Sequence, residues 1–165
     1  MRVPSKSMRA CVGFLLGAGT LASCAPAQVP FQVVFPSEET FVVTNTVNVF
    51  AFRVPEGGGL ACANLVALSA SGIGLPDDAL VRRENLQPCA LRSGIALPDP
   101  GGGPRLFVVE GLVLSGNVIL VGCTQGEVYG GATVSVNLST TTRYAAAFAA
   151  NPTRETADDH CGGGV

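Results

Sequence analysis

The stretch from Leu106 to Cys123 constrains the fold more than any other part of this chain. Leu106 to Leu114 is rich in β-branched and aromatic residues, Ser115-Gly116-Asn117 is turn chemistry, and Val118 to Cys123 is apolar again. Two β-rich runs joined by a Gly-containing triplet read as an antiparallel hairpin. A lone hairpin is only marginally stable in water, so it needs further strands to pack against. The flanking sequence supplies them. After Gly130-Gly131, Val134, Val136 and Leu138 alternate with Thr133, Ser135 and Asn137, the period of a half-buried strand. Upstream, Phe31, Val33 and Phe35 share one face until Pro36 stops the run. Phe41 to Val54 reads as one longer strand, with Val47, Val49 and Ala51 on one face and Asn48, Phe50 and Phe52 on the other. Apolar groups on both faces imply burial on both.

The remaining segments are shorter. Cys62, Leu65, Val66 and Ser69 are spaced for a short helix near 60–70, which Gly72 would stop. Residues 71–79 carry turn residues, Leu86 to Leu91 reads as a weak strand, and Pro98 to Pro104 must be a loop. Arg143 to Ala150 suits a short helix or an extended arm, and 151–165 is expected to be disordered unless Cys161 pins it. Twenty-one glycines and eleven prolines, with ten aromatics and no tryptophan, fit many short strands better than long helices. The expected fold is therefore all-β: one antiparallel β-sandwich of about seven strands over residues 31–139, followed by a tail over 140–165.

The first residues are of another kind. Arg2, Lys6 and Arg9 precede an apolar run from Ala10 to Leu21, and Leu21-Ala22-Ser23-Cys24 closes it. The run is about 12 residues, against roughly 20 needed to span a bilayer as a helix, so it reads as a processed leader. The closing tetrapeptide resembles the lipobox of bacterial lipoprotein signal peptides. That resemblance implies cleavage of residues 1–23, lipidation of the Cys24 thiol, and a short tether over 24–30. Ala25 after the cysteine, on the same resemblance, implies the outer membrane of a Gram-negative envelope. Two or three acyl chains, at about 0.8 kcal/mol per buried methylene, hold a protein stably where one does not. An ordinary secretory signal cut near Ala25 or Ala27 is the alternative, and it would release a soluble product.

Without residues 1–23, seven arginines face twelve acids, a net charge of −5, and no lysine is left. Such a surface argues against nucleic acid and against electrostatic attraction to anionic lipid. Four cysteines remain besides Cys24: Cys62, Cys89, Cys123 and Cys161. An even number in an exported domain reads as two disulfides, with three possible connectivities. Pairing of sequence neighbours, Cys62 with Cys89 and Cys123 with Cys161, is the favoured one, each loop contributing roughly 3–4 kcal/mol. No Cys or His spacing matches a metal site.

Catalytic patterns are missing. The only histidine, His160, lies in the tail, there is no Gly-x-Ser-x-Gly elbow, and a chain without lysine cannot form a Walker A loop. Gly72-Ile73-Gly74 has Asp77 where a dinucleotide fingerprint needs its third glycine. The acid pairs Glu38-Glu39, Asp77-Asp78 and Asp158-Asp159 lie in turn-like or terminal segments, where solvated carboxylates are ordinary. Arg82-Arg83-Glu84 reads as a solvated charged face, and Tyr129 and Tyr144 are the candidates for stacking on a sugar. No catalytic residue, metal or cofactor is assigned, and the chain is not read as an enzyme.

The early Phe-rich strands, Ala61-Cys62-Ala63-Asn64-Leu65, Pro88-Cys89 and the Gly122-Cys123 strand followed by Val134 to Leu138 resemble small Ig-like or transthyretin-like sandwich modules of exported lipoproteins in myxobacteria. Two Ig marks are absent, the tryptophan and a tyrosine two residues before Cys123. The combined reading is a membrane-anchored envelope lipoprotein with a binding or structural role, contacting another envelope protein or a polysaccharide. A carbohydrate-binding module, or a secreted enzyme or protease inhibitor presenting the loop from Leu97 to Arg105, is the alternative.

Overall fold

A computed structural model of the chain describes residues 27–55, 61–129, 131–150, 152 and 155–162. Cys24 and the glycines Gly57 to Gly59 lie outside the described residues. Strand β1 (Gln28–Val34) buries Val29, Phe31 and Val33 and exposes the residues between them. Pairing therefore begins inside the stretch read as a tether. Helix α1 (Glu38–Val43) follows, where the sequence suggested the start of a strand. Its cause is a capping box: the Thr40 N–H donates to the Ser37 hydroxyl, and the Ser37 N–H donates back to the Thr40 hydroxyl. Strand β2 (Thr46–Arg53) is the truncated remainder, and it is buried on both faces as its composition requires.

Helix α2 (Cys62–Ser71) ends where Gly72 takes a left-handed φ of 78° and donates to the Ser69 carbonyl. Next come β3 (Val81–Leu86) and the one-turn helix α3 (Pro88–Leu91), in place of a weak strand through 86–91. Proline at the first helical position, whose N–H would go unused, explains that switch. Strand β4 (Ile95–Pro98) leads to the hairpin of β5 (Gly103–Leu112) and β6 (Val118–Val128). Finally β7 (Val134–Asn137), β8 (Ser139–Thr140), α4 (Tyr144–Ala150) and α5 (Ala157–His160) complete the described chain.

Among the described residues, eight strands make two sheets, ordered β4-β1-β7 and β3-β2-β5-β6-β8. They face each other across the main core, where Phe31, Val47, Val49, Leu97, Phe107 and Val136 meet. The opposite face of the larger sheet carries Phe50, Phe52, Leu106 and Val108, and α2 covers it through Leu65. The fold is thus a mostly β sandwich with one helix layered outside. It is not wholly antiparallel, because β1 and β7 run parallel. The chain between them is long enough to return to the same end, so no tight turn dictates their direction. Past Asn137 the strand changes sheet: the Leu138 N–H still donates to Val34, while Ser139 and Thr140 pair with β6. No helix among the described residues is long and apolar enough to cross a membrane.

The two disulfides are Cys62–Cys123 and Cys89–Cys161, not the pairing of sequence neighbours. The layering explains the correction. Cys62 opens α2 on the outer face of the larger sheet, and Cys123 sits in β6 beneath it, with both packed against the Phe50 and Phe52 cluster. Cys89 and Cys161 lie together beside Phe41 at the rim. Cys161 therefore pins the tail, and α5 is ordered.

Candidate functional site

Strand directions give the sandwich two distinct ends. The described chain enters at Ala27, whose carbonyl accepts the Asp99 N–H. Around it lie the 98–104 loop, the end of β2 at Arg53 and the end of β6 before Tyr129. The far end holds α1, the 113–117 turn, α4 and α5. Ten residues of β5 separate the two, roughly 30 Å at about 3.3 Å per residue.

At the far end a groove of about 990 Å³ opens. Val42 and Val43, from the last turn of α1, form one wall, and Ala146, Ala147 and Ala150 of α4 form another. The hairpin turn contributes Val113 and Leu114, and Ile119 lies at the base. Leu114 is 87% exposed, a large apolar side chain held out at the mouth. The polar lining is confined to a few groups, among them Asn45, Gln87, Asn117, Arg143 and His160. An apolar trough with a few placed polar groups is what a binding site for an apolar ligand or segment looks like.

Two of those polar groups have structural work. Arg143 donates through Nη2 to the Ser71 carbonyl at 2.9 Å, placing a cation at the C-terminus of α2 and tying α4 to it. His160 Nδ1 lies 3.3 Å from a Glu155 carboxylate oxygen, and its ring meets Phe41 edge-on. Helix α4 buries none of its residues fully, and Tyr144 stacks on Phe148 at a centroid distance of 5.9 Å. Burial, followed by the nearby Glu39 charge, raises the Tyr144 pKa above the ordinary phenol range.

The other residues singled out in the sequence fall elsewhere. Arg82 bridges Glu84 at 3.0 Å and Asp77 at 3.6 Å and lies over the Phe50 ring, so the charged knot on β3 is satisfied within itself. Glu38-Glu39 and Asp158-Asp159 occupy the first turns of α1 and α5. Hydrogen bonds from Ser37 hold Glu39 below the usual carboxylate range, and those from Thr156 do the same for Asp159. Tyr129, 63% exposed, sits at the entry end and is hydrogen-bonded to Glu127, which raises its pKa. Tyr144 is at the groove end, so the two tyrosines do not share a surface. Among the described residues no group of three His, Cys, Asp or Glu side chains could hold a metal ion.

Sequence reasoning did not find the groove. Its walls come from α1, α4 and α5 and from a turn, and only their assembly makes a concavity. The one available signal was Leu114, an apolar residue beside the turn triplet Ser115-Gly116-Asn117 with no strand position to bury it. The 98–104 loop, read as flexible, is instead braced by Arg105, which donates to the carbonyls of Pro100, Gly102 and Pro104 at 3.2, 2.7 and 2.8 Å. Comparisons of the chain with protein-family models, with curated proteins and with solved structures find no match.

Proposed function

We propose that this chain is a lipid-anchored envelope lipoprotein with a small sandwich domain of Ig-like kind, and that its far-end groove takes up an apolar segment of another envelope protein. One observation carries the reading: the groove opens at the end opposite the entry of the chain. If Cys24 is acylated, only three residues separate it from Ala27, a reach of about 10 Å. The entry end then lies against the bilayer and the groove points outward. A groove with Leu114 at its mouth suits a protein segment better than a sugar, because the chain's two tyrosines stand at opposite ends.

Intact mass of protein purified from membranes tests the anchor, the expected value being residues 24–165 plus acyl chains less four protons. A photocrosslinker at Leu114 tests the groove. It should capture a partner in the envelope that the same group at Tyr129 does not, and Ala147→Arg should abolish the capture. An unlipidated mass, or equal capture from both ends, would overturn the reading. A second reading rests on the braced 98–104 loop, which is rigid and exposed in the way a protease-inhibitor loop must be. Resistance of that loop to a protease panel, with inhibition of any member, would favour it.

A further inference from the structure

We infer that α5 is a releasable cover over an apolar extension of the groove, held mainly by the Cys89–Cys161 disulfide and freed by thiol reduction; this rests on the groove reading above. Helix α5 is a single turn of four residues, too short to persist without tertiary support. Its apolar contribution is Ala157, which packs on Phe41 and Val42 in a satellite cluster separate from both sheet cores. Its other ties are the Arg92–Asp158 pair and the edge contact of His160 with Phe41. That ion pair is largely exposed, so it holds little. The disulfide is the remaining bond.

What α5 covers adjoins the groove. Val42 belongs both to the groove wall and to the cluster under Ala157. Beside it, Phe35 and Phe41 meet edge-to-face at 5.0 Å, with the Arg92 guanidinium 5.9 Å from the Phe41 ring. His160 is the part of α5 that lines the groove. Removing α5 therefore takes away one wall and exposes an aromatic pair continuous with the trough.

The two disulfides differ in what must move to admit an attacking thiolate. Cys123 lies inside β6, paired opposite Val108, and Cys62 begins a ten-residue helix packed on Phe50 and Phe52. Reaching that bond means lifting α2 from its sheet. Reaching Cys89–Cys161 means opening one turn at the rim, the kind of local opening that lies far below global unfolding. The reaction is thiol–disulfide exchange with a dithiol reductant. One thiolate of the reductant forms a mixed disulfide with Cys89 or Cys161 and expels the other sulfur, and its second thiol then resolves the mixed bond. The reductant leaves as a disulfide, and its two electrons and two protons end on the two cysteine thiols.

Graded dithiothreitol with pulse alkylation and peptide mapping reads the selectivity in the full chain. Cys89 and Cys161 should be alkylated at least tenfold faster than Cys62 and Cys123. Hydrogen exchange at Phe41 to Thr44 should then rise about tenfold with β5 unchanged, and fluorescence of anilinonaphthalene sulfonate should rise several-fold. A Cys89→Ser, Cys161→Ser chain should show the open state without reductant; if it does not fold, pulse reduction of the wild type decides alone. Equal reduction of both bonds, or unchanged exchange at Phe41 to Thr44, overturns the cover. Crosslinking from Leu114 separates the two ideas. Capture that is the same before and after reduction sinks the regulation and leaves the groove. Loss of all capture while α5 still opens sinks the groove and leaves the cover.

Discussion

Gly122 has no room for a side chain. A β-carbon there would lie 2.3 Å from the Asn137 carbonyl oxygen and 2.9 Å from the Val136 side chain. The obstacle is backbone, so it cannot swing aside. This contact is where the last strand crosses β6 as it passes from one sheet to the other, and the glycine is what lets the sandwich close on that side. Gly122→Ala should cost about 3 kcal/mol or more, read as a lower urea midpoint at unchanged m. A loss below about 1 kcal/mol would mean that the crossing is looser than described. Ser69 presents the opposite case. It is buried under α2, and its hydroxyl has no hydrogen-bond partner. A buried unsatisfied hydroxyl costs about 1–3 kcal/mol. Ser69→Ala should therefore be neutral or stabilising by up to about 1 kcal/mol, where a polar-to-apolar change usually draws no such expectation. The same urea titration reads its sign.

Both α1 and α5 exist because of their first residues. Ser37 and Thr40 close one capping box, and Thr156 and Asp159 close the other. The Asp159 carboxylate accepts from the Thr156 hydroxyl at 2.7 Å and from its N–H at 3.3 Å, and these bonds hold its pKa below the ordinary aspartate value. A folded-state pKa lower than the unfolded one has a fixed sign. The stabilising contribution is complete above the unfolded value and disappears as pH falls through the lowered one. The Thr156 amide proton shift should titrate in that acidic window, and in Asp159→Asn it should not. Titration that survives the substitution would assign the proton to another group. These short helices also show what was legible in the sequence. Repetition with a clear period was readable: the β5–β6 hairpin, the alternation of β1 and β7, the two-faced burial of β2, and α2 stopped by Gly72. Elements made by one local bond were not. Phe41-Val42-Val43 is β-rich by composition, and the Ser37 cap, three residues before Thr40, outweighs that preference. Likewise Asn85, at a φ of 59°, lets β3 bulge against β2, with its N–H donating to the Asn48 side chain. No periodicity marks such a place.

Four cysteines join two regions of different strength, and that difference decides what each bond is worth. Sequence could count the disulfides, but their pairing depends on which layer each cysteine occupies, which only the assembled sheets reveal. Cys62–Cys123 spans 61 residues and Cys89–Cys161 spans 72. By loop length alone each should contribute about 4 kcal/mol, with the longer loop slightly ahead. The folded state reverses that order. Without Cys62–Cys123, α2 must still stay on Phe50, Phe52 and Leu106 to keep the outer core dry, so nothing in the native state offsets the entropy regained by the unfolded chain. Without Cys89–Cys161, the one-turn α5 is free to leave the rim, and the native state regains part of the same freedom. The Cys62→Ser, Cys123→Ser chain should therefore lose about 4 kcal/mol, and the Cys89→Ser, Cys161→Ser chain clearly less, against the order of the loops. Guanidinium titration of both pairs measures it, with m checked for each. A larger loss from the Cys89–Cys161 pair would mean that the tail is built into the core, and that the groove end is as rigid as the sheets that carry it.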